Sequence, residues 1–204
     1  MNIDIEKISY VLGQSIGGDF RRQRFEIDPE IFVKSFNDAF KGKEPTMSAG
    51  EMQQIFRQFQ QAMQEKMHNQ NQSVANANIE NGRVFLTENR KKPGVVETKS
   101  GLQYKVIVDG QGKKPLATDT VETHYEGKTI DGNVFDSSYR RGQTATFPLG
   151  AVISGWTEAL QLMGVGSKWE LYIPSDLAYG TKGSGGTIEP NSTLIFTVEL
   201  IGIK

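Results

Sequence analysis

The 204-residue sequence contains no cysteine, which removes disulfides, thiolate catalysis and Cys-based zinc sites together. Its only histidines, His68 and His124, are too few and too far apart for a metal site, so neither metal nor cofactor is expected. Charge of one sign is also lacking. With 23 Lys+Arg against 24 Asp+Glu and no basic block, nothing indicates a sequence-independent hold on nucleic acid. No window approaches the roughly 18 apolar residues that cross a bilayer. Met1–Tyr10 carries Asp4 and Glu6 in place of a basic signal-peptide n-region. With an initiating Met1, this leads to the expectation of a soluble, cytoplasmic chain without membrane partners. The run Gly183-Ser184-Gly185-Gly186 is not followed by Gly-Lys-Ser/Thr, and no strand-to-helix step frames it. It reads as a mobile surface loop, not a phosphate cradle.

Glycine is scarce in one region: between residues 43 and 93 only Gly50 and Gly82 occur, whereas the sequence beyond is turn-rich. The composition therefore divides the chain into a helical part and a β-rich part. Ile5, Ile8, Leu12 and Ile16 fall on one face of a helix running to about Phe20, where Gly13 and Gly17 are either two tolerated glycines near a helix end or small residues spaced for a close helix crossing. Asp28-Pro29 is an N-cap followed by proline at the first helical position, and Gly42 suits the stop. Ser48-Ala49-Gly50-Glu51 is a capping box opening a third helix with Met52, Ile55, Phe56, Phe59, Met63 and Met67 on one side. Helical to about Arg90, it would span on the order of 60 Å, although the Asn content of its second half does not favour helix.

Three such helices make a poor solitary core. Either residues 1–67 form a homodimer that covers the apolar stripes, or they form a small monomeric bundle packed on the second domain; the dimer is the expectation. Residues 68–92 then continue the long linking helix, and 93–204 form the second domain. There the pattern turns to period two at Tyr104–Val108, Val121–Glu126 and Leu194–Ile201, with a hairpin signal at Asp131-Gly132 and one short helix at Gly155–Met163. The fold class is α+β: an all-α arm, then an antiparallel sheet wrapped over one short helix.

The chemistry is equally bounded. Serine catalysis needs a histidine base, and His124 lies on the strand face opposite Tyr125, where a structural role is expected. What remains is a concave site with aromatic walls and few polar groups, the form of a small-ligand or peptide pocket.

His124-Tyr125-Glu126-Gly127, Gly132-Asn133-Val134-Phe135-Asp136-Ser137-Ser138, Val152-Ile153-Ser154-Gly155-Trp156, Leu177-Ala178-Tyr179-Gly180 and Leu194–Leu200 resemble the FKBP-type peptidyl-prolyl cis/trans isomerases over about residues 93–204. The helices in front resemble the arm of the Mip-like bacterial branch, whose members form V-shaped dimers. The resemblance implies a rotamase with Tyr125, Phe135, Asp136 and Tyr179 as catalytic residues. Arg141, Phe147, Val152, Ile153, Trp156, Ile188 and Phe196 would bind substrate. Trp156 would floor the pocket, the Ile153 N–H and Tyr179 hydroxyl would bond substrate carbonyls, and Asp136 would face the X–Pro carbonyl carbon or serve mainly to hold Tyr125 or Arg141. Implied partners are proline-containing unfolded or partly folded polypeptides and macrolides such as FK506 or rapamycin. The chain departs from the family pattern at Ala145, Ser184 and Thr187, which makes the rim less apolar. Two functions stay open: an isomerase acting in protein folding, and a holdase-type chaperone that retains unfolded chains.

Overall fold

The structure, a computed structural model, describes residues 4–204. Met1, Asn2 and Ile3 of the expected dimerisation segment lie outside the described residues. The chain divides into two compact units, Met1–Gln61 and Ala62–Lys204.

The first unit holds α1 (Ile5–Arg22), α2 (Pro29–Phe40) and the start of α3 (Ala49–Asn89). Each helix begins where a local hydrogen bond satisfies its orphan N–H groups. The Asp28 carboxylate accepts from the N–H groups of Glu30 and Ile31 at 2.9 and 3.1 Å. Ser48 and Glu51 bond reciprocally, the Glu51 N–H to Ser48 Oγ at 3.3 Å and the Ser48 N–H to Glu51 Oε2 at 2.9 Å. Gly42, at φ +68°, stands just past the end of α2. Phe20 meets Phe25 and Phe32 at ring-centroid distances of 5.4 and 5.3 Å, and Phe25 meets Phe59 at 5.3 Å. This small cluster leaves most apolar surface uncovered. No described residue of α1 or α2 is buried, and Phe40 is 82% exposed. A Cβ at Gly13 or Gly17 would meet nothing within 4 Å, so within this chain they make no close crossing and stand as two tolerated glycines of α1.

The second unit is built on an antiparallel sheet of β1 (Val95–Glu97), β2 (Gln103–Val108), β3 (Thr120–Thr129), β4 (Val134–Ser137), β5 (Ala145–Pro148), β6 (Lys168–Ile173) and β7 (Leu194–Ile203). The order is β1-β2-β6-β7-β3-β4, with β5 also pairing with β3. Between them lie α4 (Ser138–Arg141) and α5 (Ser154–Leu162). Val121, Thr123, Tyr125 and Gly127 of β3 all point inward and are buried, the period-two signature of a sheet with one covered face. Trp156, Ala159, Leu160 and Met163 supply the covering stripe, packing in one core with Val121, Leu171, Val198 and Leu200. Gly132, at φ +85°, makes the β3–β4 turn, its N–H donating to the Thr129 carbonyl at 2.9 Å. β2 behaves differently from its sequence alternation: Tyr104 stacks on Trp169, but Val106 and Val108 are 40% and 50% exposed. A register shift between Val106 and Val108 accompanies that exposure.

The second half of α3 packs with the sheet. Asn89 is buried and donates to Gln103 Oε1 at 3.0 Å, while Gln103 Nε2 donates to the Leu86 carbonyl at 2.9 Å. The division by packing thus falls inside α3, whereas composition and apolar periodicity divide the chain at residues 67 and 92. The α3 face that meets β2 and the segment before β7 uses Asn78, Gly82 and Asn89, which an apolar-periodicity reading passes over.

Candidate active site

One cavity of about 430 Å³ opens on the concave side of the sheet. β3 contributes Tyr125, β4 contributes Phe135 and Asp136, β5 contributes Phe147 and β7 contributes Phe196. The segment entering α5 adds Val152 and Ile153, and α5 itself adds Trp156. Tyr179 stands at the turn before Gly180, and Ile188 on the last loop. The structure therefore brings ten of the eleven sequence-derived site residues around a single cavity. A larger concavity of about 590 Å³ runs along α2 from Pro29 to Asp38, but no aromatic side chain lines it.

Trp156 is the organising ring. It is 4% exposed and stands nearly perpendicular to Tyr125, Phe147 and Phe196, at centroid distances of 5.2, 5.7 and 5.3 Å. Edge-to-face contacts of this kind lock ring orientation as well as burying area. Gly127 makes room beneath them: a Cβ there would lie 2.6 Å from Phe196 Cε1 and 2.7 Å from two Phe135 ring atoms. Only glycine fits without displacing the walls.

Arg141 is the exception among the eleven. It does not line the cavity but reaches it through two neighbours, donating to Asp136 Oδ1 and, at 3.0 Å, to the Tyr125 hydroxyl, with its guanidinium 5.6 Å from the Tyr125 ring centroid. The Tyr125 hydroxyl in turn donates to Asp136 Oδ2. Asp136 is thus tied by both carboxylate oxygens. Its partial burial works to raise its pKa, but the Tyr125 hydroxyl and Arg141 guanidinium outweigh that and hold it below the ordinary carboxylate value. Burial, then the bond to Asp136, pushes the Tyr125 hydroxyl up. The sign of the linkage follows. A depressed carboxyl stabilises the fold above its unfolded value near pH 4 and loses that contribution as pH falls through the folded value. The denaturation midpoint should therefore drop steeply below about pH 4 in the parent protein, with a flatter acid limb in Asp136→Asn, measured by denaturant titration at several pH values.

The polar handles are sparse. Tyr179 is 38% exposed at the mouth, and its hydroxyl has no hydrogen-bond partner among the described residues. Burial, then the Asp136 charge, raises its pKa, so the hydroxyl keeps its proton at neutral pH. The Ile153 N–H, at the N-cap of α5, likewise has no acceptor among the described residues. His124 is held away from the cavity: Nδ1 meets Ser138 Oγ at 2.9 Å, and the ring stacks on Tyr139 at 4.7 Å. Ser138 Oγ also accepts the Tyr125 N–H at 2.7 Å, so this histidine supports the strand that carries Tyr125.

Four wall residues, Ala151, Ser184, Gly185 and Thr187, fell outside the sequence-derived set. Ser184 and Thr187 were noticed only as departures from a family pattern. The glycine run, expected as a surface loop, contributes Ser184 and Gly185 to the cavity rim, which is closed by a Ser184 N–H to Ile188 carbonyl bond of 2.8 Å. Ala145 packs on the core and does not line the cavity.

An antiparallel sheet over one helix, bearing an apolar pocket with two free hydrogen-bonding groups and, among the described residues that line it, no nucleophile–base pair, has the form of a noncovalent binding site for short apolar segments of polypeptide. Residues 111–201 match the profile described as FKBP-type peptidyl-prolyl cis-trans isomerase, and residues 5–106 that of the domain amino terminal to it. The chain belongs to the FKBP-type peptidyl-prolyl cis-trans isomerase family, and it isomerises X–Pro bonds in polypeptides. Its likeness to the Mip and FkpA type extends over both halves. It is 48% identical to the peptidyl-prolyl cis-trans isomerase Mip of Coxiella burnetii, across 98% of this chain and 86% of that protein. It is 43% identical to the outer membrane protein MIP of Legionella longbeachae, across 100% of this chain and 88% of that one. The crystal structure of FkpA from Escherichia coli superposes with a TM-score of 0.80 at 36% identity, covering 100% of this chain and 98% of that one. The Legionella name lends no support to a cytoplasmic location, although no described helix is long and apolar enough to cross a membrane.

Proposed function

We propose that the pocket accelerates X–Pro rotation by desolvation and shape, and that the chain works as a homodimer joined through residues 1–67. The convergence of ten predicted residues on one aromatic-walled cavity carries the first part. Amide rotation crosses a barrier of roughly 18–20 kcal/mol because the planar bond loses resonance when twisted. The planar form is the more charge-separated one, so stripping its water in an apolar cavity disfavours it relative to the twisted form. Walls that fit the twisted proline bind it better than either planar isomer. An acceleration of about 10⁵ needs only about 7 kcal/mol, within reach of such effects. In this reading Trp156 supports the proline ring, and Tyr125, Phe135, Phe147, Val152, Ile188 and Phe196 enclose it. The Ile153 N–H and Tyr179 hydroxyl take substrate carbonyls. Asp136 faces the X–Pro carbonyl while fixing Tyr125, and Arg141 acts from behind both. Macrolides such as FK506 and rapamycin would enter the same cavity, with the polar rim groups Ser184 and Thr187 weakening the fit.

The uncovered faces of α1 and α2 support the dimer. Two linked sites raise effective concentration on a long unfolded chain but not on a short peptide, and the same apolar surface would suit a chaperone role. The double variant Phe36→Glu/Phe40→Glu, on one exposed face of α2, should sediment as a monomer and keep its peptide turnover. Its catalysis of a proline-limited refolding reaction should fall about tenfold. A monomer that refolds protein as fast as the parent would defeat the dimer's assigned role, and a parent protein with no peptide turnover would defeat the pocket's.

A further inference from the structure

The second half of α3 contains residues that serve neither helix propensity nor an apolar stripe. Gly82 and Asn78 are each unfavourable inside a helix relative to alanine, and Gly82 is one of two glycines in a fifty-residue stretch. Both lie on the face turned to the segment that follows the pocket rim. Asn78 Nδ2 donates to the Pro190 carbonyl at 3.0 Å and to Glu189 Oε2 at 3.2 Å. Gly82 lies directly against Thr193: a Cβ at Gly82 would collide with the Thr193 Oγ1.

We propose that Asn78 and Gly82 are positioning residues for the isomerase pocket, seating Glu189–Thr193 on α3 and through it the Ser184–Ile188 rim. The segment between them has little slack. Asn191 is held at φ +58°, its N–H donating to the Gly180 carbonyl at 2.8 Å. The Ser192 hydroxyl and N–H both donate to the Glu189 carbonyl. Gly183 approaches Ile188, Glu189 and Pro190 so closely that no side chain fits there. Ile188, two residues before Pro190, is 7% exposed and lines the cavity. A shift at Asn78 or Gly82 is therefore passed to the rim instead of being absorbed by the loop. Rim groups touch substrate in ground and transition states alike, so their displacement raises KM and leaves kcat nearly unchanged.

The inference rests on the proposed pocket, and the test separates the two. In the full-length protein, kcat and KM are measured with a short proline peptide for Asn78→Ala, Asn76→Ala and Gly82→Ala, the last also combined with Thr193→Ala. Asn78→Ala, which removes both hydrogen bonds to the segment, should raise KM about fivefold. Asn76→Ala makes the same change at an exposed helix position and should leave KM alone. Gly82→Ala should raise KM further, and adding Thr193→Ala should bring most of it back, because it removes the hydroxyl at the point of collision and leaves only the Thr193 Cβ at 3.2 Å. Unchanged KM in Asn78→Ala, even with a lowered melting temperature, overturns the positioning role, whether or not Gly82→Ala folds. Full peptide turnover in Trp156→Ala would instead overturn the pocket on which the role depends.

Discussion

Replacing Gly127 by alanine should lower kcat/KM on a proline peptide by about tenfold or more, at a cost in stability of about 1–3 kcal/mol from overpacking. Alanine is ordinarily the better residue in a strand, since glycine gives up more chain entropy on folding. Here the surroundings reverse that preference. β3 is paired with β4 on one side and β7 on the other at this position, so its backbone cannot retreat. The new methyl would sit 2.6–2.7 Å from the rings of Phe196 and Phe135. Both rings line the cavity, and the space open to them is the space the substrate needs. Peptide kinetics together with a denaturant midpoint test this: full activity with reduced stability would mean that the rings yield away from the cavity and are not its working walls.

Trp156→Ala should be the most destabilising change in the site, by about 3–5 kcal/mol, the usual cost of emptying a large buried aromatic position. Three ring contacts would go with it. The indole Nε1 has no acceptor among the described residues, so no hydrogen bond is forfeited, and ring faces receive that N–H only weakly. A loss of this size is a large share of the 5–15 kcal/mol that holds a typical domain together, so Trp156→Leu serves as a companion that keeps much of the volume. Turnover of the peptide should fall about a hundredfold in the alanine variant, equivalent to about 2.7 kcal/mol of transition-state binding. The leucine variant should fall between it and the parent. Denaturant curves with an unchanged slope would certify that the folded states are comparable. If stability falls while turnover persists, Trp156 is core and not the floor of the site.

The parts of this protein that could be read in advance share a short range. Asp28-Pro29, the Ser48–Glu51 box and Gly42 fix helix ends through bonds spanning two or three residues or through one backbone angle, so their partners stand beside them in sequence. The alternation of β3 survives as burial because one face of that strand is covered by the core. The similar alternation of β2 does not, because exposure depends on what lies over a strand, and Val106 and Val108 lie beyond the cover. The aromatic positions were legible through the order of the motifs around them. The same order marks Arg141 as a substrate-binding residue, yet it reaches the cavity only through Asp136 and Tyr125. No periodicity marks Ser184, Gly185 and Thr187 as rim, since a loop acquires a role from what it faces.

The sequence by itself determined the helical arm, the sheet over one helix and the absence of covalent or metal chemistry from cysteine, and its resemblance to a family marked most pocket residues. Hydrogen bonds within a turn and side-chain alternation along a strand are local consequences of residue type. Tertiary structure alone decided that Gly127 must be bare, that Arg141 stands off the wall, and that α3 belongs by packing to the isomerase unit from Ala62 onward. Asn78 and Pro190 are 112 residues apart. Contacts across that distance follow from the folded sheet and the helix packed on it, which bring chain segments together whose own sequences carry no mark of each other.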